Sequence, residues 1–275
     1  MQNLNTPIGH LFTVLLDCYG PQHWWPCQTG LRWEIIVGAI LTQNTAWTNV
    51  EKAIGNLLSA DVMSPERVLA TPDTELQELI RPAGFFTQKC AYLKAMAAFM
   101  LEREAAFEQS TDVWALRKEL LAVKGVGRET ADSILLYAFN KPIFVIDAYT
   151  RRVAERHLHL DGTLHYDTLQ KIFMDALPSD VIIYNEYHAL IVALCKESCH
   201  KSSCGEICSK ILSPNSTASA TIFFASSKFF SPLRHIYTQQ SEITSFTRKI
   251  TSFLKNILFF FIISAKYNLF QAYPY

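Results

Sequence analysis

The sequence lacks net charge. Its 25 Lys+Arg and 25 Asp+Glu cancel over 275 residues, so no global basic field announces a polyanionic partner. The cancellation is uneven along the chain. Residues 1–212 hold 19 Lys+Arg against 24 Asp+Glu, whereas residues 213–275 hold 6 against 1. Any anion-binding face on the main body must therefore be a local patch, for which Lys124, Arg128, Arg151 and Arg152 are the candidates. Long apolar runs are lacking as well. The stretch LKNILFFFIISA at 254–265 is too short and too interrupted for a membrane-crossing helix, and no membrane partner is expected. Residues 1–9 lack the basic start and apolar core of a secretory leader, which points to a cytoplasmic protein with reduced thiols. Strand patterning is absent from residues 59–110, and the expected fold class is all-α.

What is present is helical. Residues 6–19 (TPIGHLFTVLLDCY) form an amphipathic segment ended by Gly20 and Pro21. Apolar positions in 31–58 recur at three and four residues, with a polar break at Gln43-Asn44-Thr45. Ser64-Pro65 and Thr71-Pro72 read as helix starts with proline in the first turn. A long helix spans 88–107, and Ser110 or Thr111 caps the next one. Further helices are expected over 148–159, 166–177 and 186–199. The pair Trp24-Trp25, followed by Pro26, does not continue a helix. It reads either as a loop anchored by buried rings or as a flat wall for an extruded base.

The stretch LLAVKGVGRETADSILLYAFNKPIFVIDAYTRR, residues 120–152, carries the most information. Gly125 and Gly127 allow a tight turn between two helices. The N–H groups of Lys124-Gly125-Val126-Gly127-Arg128 at such a helix start suit a phosphate, and Lys124 and Arg128 add charge beside it. Alone, this is a helix–turn–helix corner. Asp147 reads as the N-cap of the next helix, a role compatible with facing a cleft.

Together, LLAVKGVGRETADSILLYA and FVIDAYTRR resemble the helix-hairpin-helix and catalytic-aspartate segments of the endonuclease III-like (HhH-GPD) DNA glycosylases. ILTQNTAWTNVEKA and IRPAGFF are similar to that family's segments too. WWP and Trp47 resemble the aromatic pocket of its endonuclease III-type 3-methyladenine glycosylases. The resemblance implies a two-lobed all-α fold. Residues 31–140 would form a six-helix barrel with the hairpin, and 141–212 a second lobe joined by 1–30. Residues 213–275 match nothing in the family and read as an extension, or as a basic, apolar surface anchor. Asp147 would be catalytic and Gln43 would enter the duplex. Trp24, Trp25, Pro26, Trp47, Glu129 and Lys196 would line the base pocket. His188 reads as a core histidine.

Glu129 stands where strand-cutting relatives carry a lysine nucleophile. A carboxylate cannot form their imine, so a monofunctional enzyme for alkylated, 3-methyladenine-like bases is expected. Alternatives are an endonuclease III-like glycosylase with lyase activity, and a DNA-binding relative impaired in catalysis. The expected partner is double-stranded DNA with a damaged base, met by a nucleoid-associated monomer. Four cysteines cluster at Cys195, Cys199, Cys204 and Cys208. Relatives hold a 4Fe-4S cluster here with C-x6-C-x2-C-x5-C spacing, whereas this chain has x3, x4 and x3. Either these four form a shortened version, with Cys195 as fourth ligand, or the site holds no iron.

Overall fold

The first helix shows how closely local chemistry sets the boundaries. Thr6 Oγ1 accepts the Gly9 N–H at 3.0 Å, Pro7 occupies the first position, and Gly20 stops α1 (Pro7–Tyr19) with φ +67°. Its apolar stripe of Ile8, Leu11, Phe12 and Leu15 is buried. The computed structural model describes residues 6–25 and 27–212. Pro26 and the 213–275 extension, with the expectations attached to them, lie outside the described residues.

The break expected in 31–58 separates α2 (Arg32–Leu41) from α3 (Trp47–Ser59). Ser64 caps α4 (Pro65–Ala70) through Arg67 N–H at 3.2 Å. Pro72 is the N-cap of α5 (Asp73–Ile80), one place earlier than its expected first-turn position. A 3-10 turn (Arg81–Ala83) and Gly84 at φ +69° lead into α6 (Phe86–Gln109). Open space surrounds Gly84, so its backbone angle, and not a close approach of helices, requires glycine there. The cap of α7 (Val113–Leu121) is Asp112, whose Oδ1 accepts Ala115 N–H at 3.0 Å. Neither Ser110 nor Thr111 has that role.

After the hairpin, α8 (Arg128–Ser133) continues into a π-helical turn (Ile134–Ala138). Then follow α9 (Ala148–His157), α10 (Tyr166–Ala176), α11 (Val181–Glu197) and the short α12 (Glu206–Leu212). Among the described residues there is no strand, only an isolated bridge between Cys199 and Cys204. No described helix is long and apolar enough to cross a membrane.

Two groups of helices pack around two sets of contacts. Helix α2 meets α3, α6 and α8, while α4 and α5 lie on α6. Helix α11 meets α1 and α9, and α10 meets α1. The π-helical turn touches both α2 and α11 and so bridges the groups. Lys89 adds a buried tie: its Nζ donates to Leu41 O at 2.9 Å and Ala83 O at 2.8 Å. Burial lowers its ammonium to about 8, because the charge there meets only carbonyl dipoles.

The run between the π-helical turn and α9 is held by one carboxylate. Asp132, fully buried on α8, takes two bonds from Arg117, at 2.6 and 3.1 Å. Gln170 Nε2 donates to Asp132 Oδ2 at 2.7 Å and to Phe144 O at 2.6 Å. The Tyr166 hydroxyl accepts Ile146 N–H at 3.2 Å and also bonds to Asp132. The buried segment Phe144, Val145 and Ile146, which delivers Asp147, is thus tied to the hairpin helices through α10. Burial raises the Asp132 carboxyl above its ordinary value even against the lowering pull of Arg117, Tyr166 and Gln170. The clasp therefore fixes register more than it adds free energy. Replacing Asp132 by Ala leaves the buried Arg117 guanidinium with Asp167 alone, at 2.8 Å, and should cost about 3 kcal/mol, read as a lowered urea midpoint.

Candidate active site

Asp147 caps α9: its Oδ1 accepts Thr150 N–H at 2.7 Å. The side chain is 14% exposed, and its Oδ2 lies 3.4 Å from His188 Nε2. Burial by itself would raise this carboxyl. The charge and hydrogen bond of His188 and the bonds from Thr150 outweigh it and hold Asp147 below its ordinary value. An ionised carboxylate at neutral pH is the result.

His188 is a core residue of α11, as read from the sequence, but it also faces Asp147. Its Nδ1 lies 2.5 Å from the Tyr137 hydroxyl. Burial, then the charges of Asp147 and Glu186, push that phenol well above its usual range, so Tyr137 keeps its proton. The other ring nitrogen of His188, Nε2, faces Asp147. The π-helical turn carries Tyr137 to this place.

The same two rings join the tryptophan wall. Trp24 lies 5.7 Å from the His188 ring and 5.8 Å from Tyr137, centroid to centroid. Trp25 lies 4.9 Å from Tyr137 and 5.4 Å from Trp47. All three indoles are half-buried. Gly38 on α2 makes the wall possible, since a Cβ there would meet Trp25 Cζ2 at 3.3 Å and Trp47 Cη2 at 3.4 Å. Two buried glutamates pin the loop at its ends. Glu186 accepts the N–H groups of Gln22 and His23, and Glu34 accepts those of Gln28 and Thr29 at 2.7 and 2.8 Å. Neither was expected from the sequence.

Glu129 opens the first turn of α8. Water reaches it, yet protein hems it in. That crowding, with the Asp147 charge added, raises its carboxyl to about 7 against the lowering effect of His188 and Arg151. Two carboxyl groups in electrostatic contact thus titrate far apart.

In the hairpin, Gly125 sits at φ +85° with the Tyr92 ring where a Cβ would be, at 2.2 Å. Glycine is obligatory there on both counts. Gly127 has φ −90° and open surroundings, so the expected need for two conformationally free glycines reduces to one. Among the described residues, nothing accepts the N–H groups of Gly127, Arg128 or Glu129. Val126 is buried and closes the turn through its N–H to Val123 O at 3.1 Å. Lys124 is exposed and has no ion-pair partner among the described residues. Arg128 is paired with Asp167 at 2.9 Å.

The expected basic patch is smaller than its sequence suggested. Arg151 points to Leu164 O at 2.7 Å and Arg152 to Cys199 O at 2.6 Å. Gln43 is bound to the hairpin: its Nε2 donates to Gly125 O and Thr130 Oγ1, both at 3.0 Å. Lys196 is exposed, eight residues past His188 on α11, or roughly 12 Å along the axis. Among the described residues no cation–π contact joins it to the aromatic cluster.

The cysteine cluster exists, with a different fourth member. His157, Cys199, Cys204 and Cys208 place their ligand atoms within 4.8 Å of one another. Cys195 stands outside this group, its thiol on Tyr149 O at 3.8 Å. A 4Fe-4S cluster takes thiolates as its usual ligands. Three thiols and an imidazole around one small space do not fit it.

The sequence profile of HhH-GPD superfamily base excision DNA repair proteins matches residues 37–179. The chain belongs to that superfamily. A Methanocaldococcus jannaschii protein, named provisionally as a DNA repair glycosylase, is 46% identical over 205 residues, covering 73% of this chain and 92% of its own. Endonuclease III of Sulfolobus acidocaldarius is 28% identical over 60% of this chain and 72% of its own. Among solved structures, the H. pylori 3-methyladenine DNA glycosylase bound to 1,N6-ethenoadenine aligns with TM-score 0.59 and 27% identity, covering 72% of this chain and 98% of that one. A non-covalent endonuclease III–DNA complex shares the fold at TM-score 0.63 and 21% identity, covering 74% and 90%. As an HhH-GPD member this is a DNA glycosylase of base excision repair.

Gly38 and Gly55 form a test pair for the wall. Gly38→Val should cost about 1–3 kcal/mol by overpacking and shift tryptophan emission to the red as the indoles are displaced. Gly55→Ala, in open space on α3, should stabilise by about 0.5–1 kcal/mol with emission unchanged.

Proposed function

We propose that this HhH-GPD protein is a monofunctional N-glycosylase for alkylated, 3-methyladenine-like purines in double-stranded DNA. The observation that carries this reading is that the Asp147 carboxylate and the tryptophan wall share one side chain, His188. A base lying against Trp24 and Trp25 would bring its sugar to Asp147. The similar H. pylori enzyme, bound to an ethenoadenine base, supports an alkylated purine as the guest. Indole faces attract cationic rings, and N-alkylated purines are cationic. The Gly127, Arg128 and Glu129 N–H groups and the Lys124 ammonium would hold the strand by its phosphates.

In the reaction the C1′–N bond breaks and its electron pair leaves with the base. Positive charge develops on the sugar, and the ionised Asp147 stabilises it. Water adds at C1′ and gives a proton to Asp147 or to solvent. Cationic bases need no further help to leave. Neutral ones do, and Glu129, still partly protonated near pH 7, is the group to supply that proton.

Asp147→Asn should abolish base release from methylated DNA, by at least about a hundredfold, with folding intact. Full release by that variant would contradict the assignment. Borohydride should trap no covalent adduct, because Glu129 replaces the amine; a trapped adduct would instead favour the endonuclease III-like reading. Release of neutral bases such as ethenoadenine should fall as pH rises through about 7, when Glu129 loses its proton. Glu129→Gln should remove that limb, and release of cationic 3-methyladenine should stay flat across the same range.

A further inference from the structure

The site formed by His157, Cys199, Cys204 and Cys208 lies at the far end of α9 from Asp147. We propose that these four residues bind one tetrahedral zinc ion that locks the carboxy-terminal loop to α9, in place of an iron–sulfur cluster.

Three independent observations carry the assignment. The first is size. A zinc–thiolate bond of about 2.3 Å puts two sulfurs on one ion roughly 3.8 Å apart, and here all four ligand atoms fall within 4.8 Å. A four-iron cube gives each ligand its own iron, which spreads the ligands farther than a single ion does. The second is the imidazole. His157 is 8% exposed, and neither ring nitrogen has a hydrogen-bond partner among the described residues. An unpaired imidazole is costly to bury, and a metal bond removes that cost. The third is the backbone. Cys199 and Cys204 pair across a tight turn closed by Gly205 N–H to Ser198 O at 2.7 Å. Cys208 then stands in the first turn of α12. This C-x4-C turn followed by a helix-borne cysteine suits a structural Cys3His zinc site.

Charge agrees. Three thiolates around Zn2+ leave one negative charge. Arg156 lies beside it, with Nη1 at 3.7 Å from Cys199 Sγ and 3.8 Å from Cys204 Sγ. The same guanidinium binds His200 O at 2.5 Å and Lys201 O at 2.6 Å, so the counter-charge is held in place. Cys195, the thiol that a four-cysteine cluster would require, bonds Tyr149 O and lies beside Cys199, but it is not one of the four gathered ligand atoms.

The test is metal analysis of the full chain, expressed with zinc and iron both supplied. The expected result is a colourless protein with about one zinc per chain and no inorganic sulfide. Cobalt substitution should give the intense visible bands of a tetrahedral S3N site. His157→Ala should weaken zinc retention against a chelator by about tenfold or more. His157→Cys should keep the ion and shift the cobalt bands toward the S4 pattern, which preserves the test if the alanine variant fails to fold. Cys195→Ser should change nothing. A brown protein with iron and sulfide that Cys195→Ser abolishes would overturn the proposal. So would a metal-free protein that takes up no zinc or cobalt.

Discussion

A single buried carboxylate, Asp132, organises this molecule. It sits where α7, α8 and α10 converge, and its partners reach onward to Phe144 and Ile146. The segment that ends at Asp147 has no helix of its own to position it. It gains its place through Gln170 and Tyr166, which answer both to Asp132 and to the segment's backbone. The hairpin and the Asp147 carboxylate are therefore tied to one anchor. For an enzyme that must hold a strand with one element and act on its sugar with another, this shared anchorage is a form of preorganisation.

The site itself separates two carboxyl groups by environment. Asp147 is buried but has His188 and the α9 N-terminus to keep it ionised. Glu129 is reachable by water but is crowded and faces the Asp147 charge, and so it holds its proton to about 7. Neither property follows from residue type. Both follow from which neighbours each group meets, and the burial of one carboxyl contributes to the titration of the other.

The parts that were legible in the sequence are those whose physics is local. The stop at Gly20, the helix start at Ser64, the break near Gln43, the turn at Gly125 and the placement of Asp147 before a helix all depend on neighbours within a few residues. The tryptophans and Glu129 came from resemblance, and their contacts from the fold alone. Tyr137 and His188, 51 residues apart, carry no pattern that joins them. Glu186 reads as an ordinary helix position until its carboxylate is seen on the backbone of a loop 164 residues earlier. His157 is hidden for a similar reason: its imidazole comes from α9, far before the cysteines it meets. The basic patch shrinks at Arg151 and Arg152 because charge in a sequence does not reveal which cations spend themselves on carbonyls.

Gln43 has one more consequence. Both hydrogens of its amide nitrogen are committed, one to Gly125 O and one to Thr130 Oγ1. A glutamine that is to leave this berth for the interior of a duplex must surrender both, at a net cost of about 0.5–1.5 kcal/mol each. An intact, well-stacked base pair offers no opening in return, whereas a vacated stack offers new partners for the same amide. If Gln43 is the residue that enters the duplex, its resting bonds set a threshold between passing over sound DNA and committing to a lesion.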